Sequence, residues 1–247
     1  MAPRLAPNLL TLGPALVAPG DEAKSLAAEA RWEAESGGEG STATPSFGPT
    51  PPPAWALPPL PVNEVAPLQQ RLEGRSTHLS LWPASTCLVR WLAGHEELLG
   101  LRRPGLKVLE LGSGSGWLGR TLLQNLELEE LVLTDHTDVA LALEATLTRE
   151  RLDLESSTKL RVEALNWEDF QQGGCGVLPK SSRGGGFDLV LGADLVWTTA
   201  TSTLLPHVLR ALLLQCAREG KQPLVIYGHW NRSATRLAQF RECCEAA

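Results

Sequence analysis

Val108-Leu109-Glu110-Leu111-Gly112-Ser113-Gly114-Ser115-Gly116-Trp117-Leu118-Gly119 is an apolar strand that breaks into alternating glycines and then continues as a helix. Glycines at such a turn permit positive φ and close approach of a ligand, while the helix start presents unpaired N–H groups. The stretch therefore reads as a nucleotide-cofactor loop. A dinucleotide site would read G-x-G-x-x-G from Gly112, yet the sixth position is Trp117, and the frame from Gly114 to Gly119 starts two residues late. Glu110 would also repel a pyrophosphate, whereas a cationic ligand suits it.

Downstream segments fall where a doubly wound sheet needs them. Leu131-Val132-Leu133-Thr134-Asp135 is a second apolar strand ending in an acid, so Asp135 is a candidate ribose ligand; a helix N-cap is the alternative for it. Leu160-Arg161-Val162-Glu163-Ala164-Leu165 alternates as a third strand and leads into Asn166-Trp167-Glu168-Asp169 at the ligand-binding end. Trp167 either lines an adenine or packs under its loop. A fourth strand begins at Phe187-Asp188-Leu189-Val190-Leu191-Gly192-Ala193 and runs into Asp194-Leu195-Val196-Trp197.

The E-x-G-x-G-x-G pattern of Glu110, Gly112, Gly114 and Gly116 resembles motif I of the seven-strand S-adenosylmethionine-dependent methyltransferases. F-D-L-V-L-x-A-D-x-x-aromatic resembles the branch that methylates lysines of elongation factors, chaperones and similar proteins. Trp197 stands where that branch usually has tyrosine, which keeps an aromatic wall and removes a hydroxyl. Leu81-Trp82-Pro83-Ala84-Ser85 is similar to the branch's W-P-A-A segment, which helps close the cofactor site. The resemblance spans about Leu81 to about Gln239. It implies S-adenosylmethionine as cofactor, held by Trp82, Glu110, Gly112, Gly114, Gly116, Asp135, Trp167 and Asp194, with Asp194 and Trp197 as the catalytic pair. It also implies a protein lysine as acceptor: Asp194 would hold the amine and Trp197 would give it a ring face, a contact of about 0.5 to 2 kcal/mol. The fourth strand lacks an N-P-P-Y-like sequence, which argues against amino-methylation of adenine or glutamine.

Composition bounds the rest. Thirteen of the 18 prolines precede Leu68, so residues 1–75 read as a disordered extension, with a short helix possible around 22–35, and 76–247 as the methyltransferase domain. A net charge of −6 with scattered arginines argues against broad attachment to nucleic acid. No apolar stretch is long enough to span a bilayer, and the early prolines make a poor signal peptide. The five cysteines show no metal-binding spacing, so no metal is expected; as reduced thiols they suit a cytoplasmic protein, with the nucleus also open. The chain is read as a monomer acting on a protein.

The coarse order is a helix over 84–99, strand one, a helix over 118–125, strand two, a helix over 138–151, strand three, a mobile low-complexity loop over 171–186, strand four, a helix over 201–219, strand five over 223–227 and a final helix. This is an α/β, Rossmann-like, mostly parallel sheet. The family's closing antiparallel pair is missing, which predicts strand five as an exposed edge. His229 and Tyr227 lie near its end, and a lone histidine there reads as a surface group. Two other functions remain open: a small-molecule or nucleic-acid methyltransferase on the same fold, and a silent S-adenosyl-ligand-binding module.

Overall fold

The computed structural model describes residues 7–12, 55–57, 80–150, 158–173, 176–182, 184–230 and 233–246. In chain order these form β1 (Pro7–Leu12), α1 (Pro83–Gly94), β2 (Leu106–Leu111), α2 (Trp117–Asn125), β3 (Leu128–Asp135), α3 (Thr137–Glu150) and β4 (Lys159–Ala164). A 3-10 helix (Trp167–Gly173), β5 (Leu189–Ala193), α4 (Thr199–Arg218), β6 (Leu224–Trp230) and α5 (Ala234–Ala246) complete the order. The strands make one sheet in the order β1-β6-β5-β2-β3-β4. All neighbours are parallel except β1, which pairs antiparallel with β6. The expected doubly wound α/β sheet is present.

Burial on both faces explains why β2, β3 and β5 read as largely apolar runs. Alternate residues face opposite ways: Val108, Leu189, Leu191 and Ile226 pack with α1, α2 and α3. Leu109, Val190, Val225 and Tyr227 pack with α4, α5 and Phe170 of the 3-10 helix. Every residue of β2 is buried, as the central strand of a covered sheet must be.

Strand five of the sequence reading, β6, is not an exposed edge. Pro7–Leu12 covers it, with Pro7 opposite Trp230 and Leu12 opposite Val225. A second piece of the N-terminal stretch also joins the domain. Trp55 is buried among Leu88, Leu92 and Leu122, its indole N–H donates to Glu96 at 3.1 Å, and Asn125 exchanges two hydrogen bonds with the Ala56 backbone, each 2.7 Å. Residues 7–12 and 55–57 therefore belong to the fold and not to an unattached extension. The helix considered over 22–35 lies outside the described residues.

Other boundaries move for identifiable reasons. The first helix stops at Gly94 instead of Leu99. β6 continues to Trp230, three residues beyond the expected end, because β1 supplies hydrogen-bond partners along its free side. The loop expected to be mobile begins as the 3-10 helix. Farther on it is tied to the sheet: Ser181 Oγ donates to buried Glu130 at 2.7 Å, and the Ser182 amide donates to the same carboxylate.

Candidate active site

The carboxyl ends of the parallel strands open into one cleft of about 1070 Å³, the place where ligands bind in open α/β sheets. It brings together Trp82 before α1, Glu110 near the end of β2, Gly112 and Gly114 after it, Asp135 at the end of β3, Trp167 after β4, and Asp194 and Trp197 after β5. Of the expected cofactor residues, only Gly116 is absent from the lining. At φ 72 it makes the turn into α2, and a side chain there would strike Leu143 Cδ1 at 2.8 Å. Its glycine identity answers to backbone conformation and to packing against α3.

Gly112 also needs to be glycine. It has φ 59, and a Cβ would lie 2.4 Å from Leu195 Cδ2, so the β2 and β5 exits press together at the floor of the cleft. The loop then turns so that the Gly114 amide donates to Asp135 Oδ2 at 2.8 Å, while Asp135 Oδ1 accepts from the His136 amide at 2.7 Å. A carboxylate has about four lone-pair sites, so both oxygens can still receive ribose hydroxyls.

Glu110 is the buried carboxyl of the site, 3% exposed. Its carboxyl lies below the first turn of α2, where a side chain on Gly119 would come within 2.7 Å of Oε2. Burial pushes it up to about 8, the Gly119 amide works against the rise, and the charge of Asp135 adds to it. Without a ligand the buried site therefore favours the protonated carboxyl. Glu110 Oε2 and Trp117 Nε1 are buried without hydrogen-bond partners among the described residues, which fits a polar or cationic ligand taking that place. Acidic lining residues outnumber basic ones without counting Glu110: Asp135, Asp138, Glu168 and Asp194 face a single arginine, Arg236. Such a lining attracts cations.

The substrate side of the cleft is built by the turn after β5. Asp194 is buried and is the one non-glycine with positive φ among the described residues, at 58. Trp197 is 47% exposed at the rim, which suits a wall reached from solvent and not an aromatic of the core. The start of α4 fixes this turn through a reciprocal box in which Thr198 and Thr201 bond each other's amides at 3.0 Å. Thr201 Oγ1 also accepts from the Trp197 amide at 3.2 Å.

A family model described as lysine methyltransferase matches residues 64–242, most of the chain. The chain belongs to the lysine methyltransferase family. Within that family it is 36% identical over 108 residues to mouse EEF1A lysine methyltransferase 3. The match spans 44% of this chain and 40% of the mouse protein, less than half of that relative's length. Two solved structures are similar at low identity. A sarcosine dimethylglycine methyltransferase from Galdieria sulphuraria is 14% identical with a TM-score of 0.36, covering 50% of this chain and 43% of its own. PigF with SAH is 15% identical with a TM-score of 0.35, covering 64% and 52%.

One residue of this family member's site, Arg236, escaped the sequence reading, and two that it named without assigning a role, Tyr227 and His229, pack against the site. Arg236 of α5 donates to the Trp197 carbonyl at 2.7 Å and lines the cleft; no local pattern marks one arginine of a C-terminal helix for this. Tyr227 and His229 sit behind Asp194. His229 is 3% exposed, so it is not the surface group that its place near a strand end suggested. The extra length of β6 buries it.

Proposed function

We propose that this protein transfers the methyl group of S-adenosylmethionine to the side-chain amine of a lysine in a protein. The observation that carries the proposal is the position of Asp194, buried in a left-handed turn on the same cleft as Glu110 and Asp135. The cofactor supplies an electrophilic methyl on a sulfonium. Trp82, Glu110, Gly112, Gly114, Asp135 and Trp167 would hold it. Asp135 would take the ribose hydroxyls, and the buried Glu110 carboxyl would meet the amino-acid end, ionising as a cationic group arrives.

What remains for the protein is alignment, since an in-line displacement needs no enzyme nucleophile and depends on position and exclusion of water. Asp194 would draw in the lysine ammonium and hold its nitrogen while a proton leaves to water. Trp197, at the rim, would give the aliphatic stem and the cation a ring face. The acidic lining favours a cationic acceptor over an anionic one, which is the reason to prefer lysine over nucleic acid.

The mouse relative's name makes EEF1A the first acceptor to try. We place the protein in the cytoplasm, with the nucleus also open, acting as a monomer. Among the described residues no helix is long and apolar enough to cross a membrane. The test is transfer of labelled methyl from S-adenosylmethionine into a cell lysate before and after protease digestion. Label that disappears from the macromolecular fraction after protease supports a protein acceptor. Label that survives protease and disappears with nuclease would overturn it.

A further inference from the structure

The carboxyl end of β6 holds the turn after β5 through two hydrogen bonds and places an imidazole beside it. The Gly228 carbonyl accepts from the Asp194 amide at 2.7 Å, the Tyr227 hydroxyl accepts from the Val196 amide at 2.9 Å, and His229 Nδ1 lies 3.9 Å from Asp194 Oδ1. Tyr227 Oη and His229 Nδ1 are 3.1 Å apart. A hydroxyl that accepts from Val196 still has its own proton to donate to the imidazole. Tyr227, His229 and Asp194 are all buried, and the Tyr227 ring meets Phe240 edge-on at 5.5 Å. Tyr227 and His229 do not line the cleft. Any effect they have on a ligand there passes through the turn.

Left-handed φ is uncommon for a residue with a side chain and persists only where the surroundings over-determine it. A strand end with no such duty would be sealed by apolar residues, because buried polar groups are costly unless paired. We infer that Tyr227 and His229 are positioning residues for Asp194. They hold the turn in its left-handed form so that the carboxylate stays on the cleft side, where the incoming amine arrives. This rests on reading the cleft as a methyl-transfer site.

The test compares Tyr227→Phe, which removes one oxygen and keeps the ring on Phe240, with His229→Ala and with His229→Asn, whose amide reaches the place of Nδ1. Using the full chain, initial rates of tritiated methyl transfer into undigested lysate protein from methyl-donor-starved cells are measured at limiting and saturating S-adenosylmethionine. Affinity for S-adenosylhomocysteine is measured by calorimetry. Misplacement of an aligning group should lower apparent kcat by about ten- to a hundredfold in Tyr227→Phe and His229→Ala, with KM for the cofactor and product affinity within about twofold of the parent. His229→Asn should recover part of the rate.

Parent-like turnover in Tyr227→Phe would overturn the inference. So would a loss of product affinity in step with turnover, or failure of all three variants to melt cooperatively, since each marks the residues as general support. A parent protein that labels no protein defeats the methyl-transfer reading itself and this inference with it. That result is distinguishable because it is seen before any variant is made.

Discussion

Asp135, at the end of β3, accepts the Gly114 amide from the loop after β2 at 2.8 Å. The acid read as the ribose ligand is thus also the latch that shapes the glycine turn. The two duties favour each other: a carboxylate already oriented by backbone amides loses little freedom when a ligand arrives.

Replacing Asp135 with alanine removes both. Hydrogen bonds to a charged acceptor contribute about 1.5 to 3 kcal/mol, so affinity for S-adenosylhomocysteine should fall roughly ten- to a hundredfold. Titration calorimetry checks this. Unchanged affinity would show that the ribose lies elsewhere.

Glu110 gives the protein without ligand a pH signature. Its folded value of about 8 stands above its ordinary 4.5, so between these values the folded protein keeps a proton that the unfolded chain releases. Stability contributed by the protonated form is complete below about 4.5 and is lost as pH rises through about 8, with a slope of up to about 1.4 kcal/mol per pH unit. Glu110→Gln cannot ionise and should flatten that decline. Urea titrations at pH 5, 6.5 and 8 on parent and variant measure the difference, and parallel curves would contradict the assignment.

On the substrate side, Asp194→Asn should depress turnover and leave product affinity largely intact, because the lost charge matters to the incoming amine. Trp197→Tyr should be tolerated, since it keeps a ring at the rim, while Trp197→Ala should cut activity further. Methyl-transfer rates on a common protein acceptor rank the three. Full activity in Trp197→Ala would reduce that residue to a surface aromatic.

The N-terminal pieces carry a stability prediction opposite to the one that proline content suggests. Trp→Ala changes in packed sites cost about 3 to 5 kcal/mol, and Trp55→Ala should approach that range because its ring is buried among Leu88, Leu92 and Leu122. Deleting residues 1–12 should leave folding possible while baring the β6 edge, which then invites pairing between chains. Chemical denaturation reads the first. Light scattering of the truncated protein over hours at micromolar concentration reads the second, where a steady monomer signal would count against the strand's role.

Much of the parallel sheet was legible because its signals are local. β2, β3 and β5 are apolar runs set off by glycine or a terminal acid, and the chemistry of Glu110, Asp135 and Asp194 sits at their carboxyl ends. What escaped depends on distant pairing. Pro7–Leu12 has too few residues and too many neighbouring prolines to declare itself a strand, and only the unfilled edge of β6 gives it a partner. His229 looked superficial because the end of β6 could not be placed without that partner. Gly116 was legible as a turn residue but not as one packed against Leu143 of α3.

Mass spectrometry of the product separates lysine methylation by this cleft from other outcomes. The full chain is incubated with trideuteromethyl S-adenosylmethionine and purified EEF1A or lysate protein, and modified peptides are sequenced by fragmentation. Trideuteromethyl groups should appear on lysine side-chain nitrogens with the parent and be sharply reduced with Asp194→Asn. Label confined to other residues or to non-protein material, or lysine label that Asp194→Asn leaves unchanged, would contradict lysine methylation by this cleft.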